Sequence, residues 1–80
     1  MVTRNKKLLN YFVALRKSRG YLQRTLADKL RRPQSFVSKY ESGERRIDLL
    51  EFIEICKAMN IDPNVAFVKL LEALGNDRSS

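Results

Sequence analysis

Arg31–Gly43 reads RRPQSFVSKYESG. Two arginines abut a proline, and small polar residues then interleave with Phe36, Val37 and Tyr40. Pro33 suits the first position of a helix, because the N–H it lacks would have no partner there. It also disfavours helical backbone at Arg32, which separates this helix from whatever precedes it. At about 100° per residue, Gln34, Ser35, Ser38 and Lys39 fall on one face. Val37 and Tyr40 fall on the opposite face, with Phe36 on the flank. The spacing predicts a short helix from about Pro33 or Gln34 to Tyr40 or Glu41, apolar inward and Gln/Ser/Lys outward. A solvated face more often carries Glu–Lys pairs at i,i+4. Short side chains of this kind suit a different task. Gln bonds two edge atoms of adenine, Lys reaches O6 and N7 of guanine, and Ser bonds bases or phosphates.

Just upstream, Gln23–Leu30 carries Leu26, Ala27 and Leu30 at helical spacing. Ala27 is small enough for a second helix to approach closely. Two short helices packed through Ala27, Leu30 and Val37 make a helix-turn-helix with the Gln/Ser/Lys face outside.

Charge agrees with that placement. The chain has 80 residues, sixteen Lys/Arg against nine Asp/Glu, and a formal net charge of +7. Residues 1–46 hold thirteen Lys/Arg and three acids, whereas residues 47–80 hold three Lys/Arg and six acids. The basic half is suited to a polyanion, and the acidic half is not. The length allows one domain over 1–75, with 76–80 expected as a frayed tail. There is no histidine and a single cysteine, Cys56, which excludes an internal disulfide and argues against a His/Cys zinc site. With no nucleophile–base pair and no glycine-rich phosphate loop, an enzyme is not expected. No cofactor and no small-molecule ligand is indicated. No apolar run approaches the ~18 residues of a membrane span, and a soluble, cytoplasmic protein is expected.

Helical patterning extends along the whole chain. Leu8, Leu9, Phe12, Val13 and Leu15 predict a first helix over about Lys6–Ser18, ended by Gly20. Asp48 with Glu51 three residues later reads as a capping box, flanked by Ile47 and Phe52 as a hydrophobic staple. The fourth helix then runs to about Met59, with Leu49, Leu50, Phe52, Ile53, Ile55, Cys56 and Met59 as core material. Asp62-Pro63 opens a fifth helix that ends near Leu74 and Gly75. That helix is apolar almost all round. Val65, Phe67, Val68, Leu71 and Leu74 exceed what so small a monomer can cover, which predicts a self-complementary dimer patch.

The segment LRKSRGYLQRTLADKLRRPQSFVSKYESGERR, Leu15–Arg46, resembles the Cro/repressor-type (XRE-like) helix-turn-helix family. The matching elements are Arg16, the approach from Gly20 to Gln23, the Leu26-Ala27 pair, the QSFVSKYE helix and the SG loop before a basic pair. The resemblance spans roughly Leu8–Ile61. It implies an all-α, lambda-repressor-like five-helix domain that binds double-stranded DNA as a homodimer and regulates transcription. It also implies roles for particular residues. Gln23 bonds a phosphate. Gln34, Ser35, Ser38 and Lys39 face base edges, and Arg45 and Arg46 hold the backbone. Arg16 and Glu41 form a partly buried structural ion pair. Phe36 is open between a thymine or sugar contact and the edge of the core.

Two departures stand out. Arg31 occupies the turn position usually held by glycine, and Arg32 one usually held by a buried aliphatic. Both are therefore candidates for phosphate contact. Leu22 stands where a Ser or Thr cap is usual. An antitoxin-like or adaptor module gripping an acidic protein is the alternative that the same basic half would serve.

Overall fold

The computed structural model describes residues 3–75, with side chains from residue 5 onward. Five α-helices follow one another without a strand among the described residues: α1 Thr3–Ser18, α2 Gln23–Leu30, α3 Gln34–Ser42, α4 Leu49–Ala58 and α5 Pro63–Gly75. The expected all-α, five-helix architecture is the one observed. α1 begins three residues before the expected Lys6. The tail expected at 76–80 lies outside the described residues. None of the described helices is long and apolar enough to cross a membrane.

Three of the helices stop by the same device. The N–H of Gly20 donates to Lys17 O at 2.9 Å and that of Tyr21 to Arg16 O at 3.3 Å, closing a Schellman motif. Arg31 and Arg32 repeat it on Asp28 O and Ala27 O, and Asn60 and Ile61 on Lys57 O and Cys56 O. Each motif needs one residue in the left-handed region. Gly20 supplies it at no steric cost, but Arg31 (φ 59°) and Asn60 (φ 58°) do so with a Cβ. The turn between α2 and α3 thus keeps the geometry that glycine normally provides, at a cost carried by Arg31.

The helix starts differ from one another. Asp48 accepts from Glu51 N at 2.7 Å, and Glu51 Oε1 accepts from Asp48 N at 2.9 Å, so the capping box of α4 is complete. Leu22 gives α2 no side-chain cap. Pro33 is the N-cap of α3 and not its first helical residue, because its ψ of 153° is extended. The constraint proline places on its own φ serves the cap as well as it would serve N1.

The core gathers Phe12 from α1, Leu26 and Ala27 from α2, and Phe36, Val37 and Tyr40 from α3. α4 adds Phe52, Ile55 and Cys56, Met59 follows at its C-cap, and α5 adds Ala66. α2 and α3 meet through Ala27 and Val37, with Leu30 half-buried at the margin. Tyr40 stands edge-on to both Phe12 and Phe36, with centroids 5.5 and 5.4 Å away. Its burial pushes the phenol well above its ordinary ionisation range. Cys56 is fully buried and its thiol is pushed up to about 11, chiefly by desolvation and then by Asp62. It packs as a small hydrophobe.

One part of the expected core is not core. Leu49 and Leu50 are 67% and 71% exposed. α4 carries apolar residues at nearly every angle, and only its Phe52–Ile55–Cys56–Met59 stripe faces α2 and α5.

Candidate nucleic-acid interface

The outward face of α3 has the composition expected of it. Gln34, Ser35 and Lys39 are exposed and Ser38 is half-buried, while Val37 and Tyr40 on the other side are sealed. Ser38 Oγ donates to Ser35 O at 3.3 Å, a local bond that solvent or a base edge readily displaces. Nothing in the described chain covers this face.

Beneath it runs a polar chain leading into the core. Arg16 forks onto Glu41, with Nε to Oε2 at 2.8 Å and Nη2 to Oε1 at 3.0 Å. Their side chains are 9% and 4% exposed. Arg16 Nη1 also donates to Tyr21 O at 2.8 Å, which ties α1 to the start of α2. The hydrogen bonds to Glu41 raise the guanidinium pKa against the desolvation that would lower it. Gln23 Nε2 donates to Glu41 Oε1 at 3.0 Å, and Gln34 Nε2 donates to Gln23 Oε1 at 3.5 Å. The first residues of α2 and α3 are therefore linked amide to amide, and the link is anchored on a buried ion pair. The spacing of residues alone holds no sign that Gln23 has an internal partner.

A second polar cluster joins the turn, α3, the following loop and α4. Arg45 forms a two-pronged bond to Glu51, Nη1 to Oε1 at 3.0 Å and Nη2 to Oε2 at 2.9 Å. Arg45 Nη1 also donates to Arg46 O at 2.9 Å. Arg32 approaches the same carboxylate at 3.9 Å and Glu54 at 3.8 Å. Both guanidiniums lie over the Phe36 ring, 4.4 Å from its centroid for Arg32 and 4.8 Å for Arg45. Phe36 is 7% exposed and belongs to the core, with these two arginines as its cover. Glu51 is held at about 2, chiefly by the hydrogen bonds from Arg45 and then by the Asp48 N–H.

The candidate contacts therefore divide. Gln34, Ser35, Lys39 and Arg46 are exposed and project outward, with Ser38 half-buried between them. Gln23, Arg32 and Arg45 sit at the edge of the same surface, each held by an acid or an amide of the chain itself. On α5, Val65, Phe67, Val68 and Leu71 are 44–53% exposed, and Leu74 is half-buried. Phe67 and Leu74 border a groove of roughly 610 Å³ between α1, α5 and the loop before α4. Among the described residues there is no group of three or more His, Cys, Asp or Glu placed to hold a metal ion.

A short helix with a sealed apolar face, a bare Gln/Ser/Lys face and a basic loop beside it defines a helix-turn-helix domain of the DNA-binding class. A helix-turn-helix family model matches residues 13–65. The fold is shared with an XRE-family like protein from Pseudomonas syringae pv. tomato str. DC3000, at 41% sequence identity and a TM-score of 0.78. That match covers 88% of this chain and 85% of the other. A comparison with curated proteins finds no match. The chain belongs to the XRE-like family of helix-turn-helix DNA-binding regulators.

Proposed function

We propose that this protein is a transcription regulator that binds a near-palindromic operator as a homodimer, with α3 read into the major groove. The observation that carries the reading is the exposure of Gln34, Ser35 and Lys39 together on the first two turns of α3, beside the exposed Arg46. The Gln and Lys side chains have the donors and acceptors that distinguish base pairs in the major groove. Gln23 is suited to a phosphate, because it opens α2, where the N–H groups of the helix end face outward. Arg46 supplies a charge without sequence information.

The dimer half of the reading rests on α5. Four large apolar side chains in a helix of 13 residues remain open to solvent in the single chain. A second copy applied by a two-fold axis buries both sets at once. Such a pair sets two recognition helices about 34 Å apart, one turn of duplex.

Selection of bound oligonucleotides from a random pool tests the reading. A preferred, two-fold-symmetric motif is the expected result. Gln34→Ala then relaxes preference at one position of each half-site, at a cost of about 1–3 kcal/mol. Arg46→Ala weakens all sequences alike and lowers the salt slope by about 0.9, the share of one phosphate. Weak retention of every sequence with no motif favours a protein-binding module instead.

A further inference from the structure

Glu51 lies on α4, outside the face that carries the base-reading residues. Its carboxylate nonetheless collects Arg45 from the loop and draws in Arg32 from the turn. Those two arginines lie over Phe36, the third residue of the recognition helix. One acid thus joins the turn before α3, the loop after it and α3 itself. The geometry points to Glu51 as a positioning residue for sequence discrimination: by occupying Arg45 and Arg32 it holds α3 in one orientation and withholds two cations from indiscriminate phosphate binding. This rests on the DNA-binding reading above and deepens it.

The physical logic is a trade between two kinds of contact. A cation on a flexible stem binds any phosphate in reach and so strengthens attachment in every register. A guanidinium tied two-pronged to a carboxylate is geometrically fixed and largely neutralised. Arg45 is in that state, with both terminal nitrogens on Glu51 and one also on the Arg46 carbonyl. Arg32 is held more loosely, between Glu51 and Glu54. Because both also cover Phe36, releasing them uncovers the flank of α3 as well as adding mobile charge. Arg46, the next residue along the loop, is exposed and remains as the phosphate contact.

Glu51→Gln is the informative change, since an amide oxygen still accepts the Asp48 N–H that caps α4 but cannot hold a guanidinium as a carboxylate does. With the motif selected by the wild-type protein and random duplex as probes, the variant is expected to prefer the motif by about tenfold less, the size of one good base contact. On random duplex its salt slope steepens by about 0.9–1.8, for one or two freed arginines. Between 50 and 200 mM salt that is an extra ~3.5-fold to ~12-fold loss of affinity. Arg45→Lys keeps the charge but loses the two-pronged bond, and lowers preference in the same direction. Asp28→Asn, at an exposed residue of α2 that holds neither arginine, adds the same unit of charge and keeps the preference of the wild type.

Three results overturn the inference. One is equal weakening of motif and random duplex by Glu51→Gln at unchanged slope, which makes Glu51 structural only. Another is full preference in Arg45→Lys. The third is an Asp28→Asn profile that matches Glu51→Gln, which assigns the effect to net charge. A wild-type protein that selects no motif overturns the DNA-binding reading first, before any variant is compared.

Discussion

Replacing Arg16 by methionine is the sharpest test of how the domain is held together. Arg16 makes three hydrogen bonds, two to Glu41 and one to Tyr21 O. Methionine fills much of the same volume but offers none of them. Glu41 is then left with a single donor, Gln23 Nε2, and with a side chain only 4% exposed it gains little from water. Removing one partner of a buried pair costs about 3–5 kcal/mol, most of it the penalty of a stranded charge. At ~0.05–0.15 kcal/mol per residue, a chain of 80 residues has about 4–12 kcal/mol in all. The substitution therefore removes a quarter of the stability at the least, and at the lower end of that range it can exceed the whole. Since 1 kcal/mol shifts the midpoint of so small a domain by about 4–8 °C, the melting temperature falls by at least ~12 °C.

The double substitution Arg16→Met with Glu41→Leu strands no charge, because replacing both members of a buried pair by apolar groups is often neutral or stabilising. The half-buried amide of Gln23 loses its acceptor but returns to solvent. Urea unfolding followed by far-ultraviolet circular dichroism on all four corners of the cycle measures the coupling. The expected pattern is a severe loss in Arg16→Met and recovery of at least ~2 kcal/mol in the double variant. A loss below about 1 kcal/mol in Arg16→Met, at unchanged denaturant slope, refutes the assignment of this pair as the anchor beneath α2 and α3.

Arg31→Gly removes a Cβ from the left-handed region at φ 59° and should raise stability by about 0.5–1 kcal/mol, read as a higher urea midpoint. Below neutral pH, Glu51 gives the domain an acid limit. Its pKa is lowered from 4.5 to about 2 on folding, so its contribution is complete above ~4.5 and is lost as pH falls through ~2. Thermal melts across that window should show the loss in the native chain and a shallower one in Glu51→Gln. Val68→Asp places a charge on the exposed α5 face, and if that face is the proposed dimer seam, sedimentation should show a dimer for the native chain and a monomer for the variant.

The helices were legible because their signals are local. Asp48 and Glu51 announce the start of α4 three residues apart, and the apolar spacing of α2 and α3 fixes which side of each is buried. The outward Gln/Ser/Lys face follows from the same wheel. What spacing does not encode is the partner of a long side chain. Arg45 and Glu51 meet only because the loop folds back over the first turn of α4, so a residue read as a phosphate clamp is held inside the protein's own network. Phe36 sits on the flank of its helix, and its burial depends on the stems of two arginines that come from either side in sequence. Leu49 and Leu50 failed as core residues for the opposite reason. On a helix apolar at most angles, the pattern cannot say which stripe wins, and the packing of α2 and α5 decides it.

The loop between α3 and α4 explains why a short basic segment can act as a fixed device. Gly43 adopts φ 90°, and a Cβ there would meet Leu9 Cδ1 at 3.0 Å, so the chain turns tightly against α1. Arg45 N donates to Lys39 O at 3.2 Å, which bonds the loop back onto α3. Ile47 packs on the core and Asp48 starts α4. Between these attachments Glu44 and Arg46 extend exposed side chains, one acid and one base. A cation carried by so constrained a loop has little backbone entropy left to lose when it meets a phosphate. Its contribution to binding is correspondingly larger than that of an arginine on a mobile arm. Arg45→Gln should therefore weaken the contact that Arg46 makes, because the strut and the charge it carries are separate residues. The test is a cycle of Arg45→Gln and Arg46→Ala on random duplex. Removing Arg46 should matter less once the strut is gone, and strictly additive losses would show that the loop needs no bracing from Glu51 to present its charge.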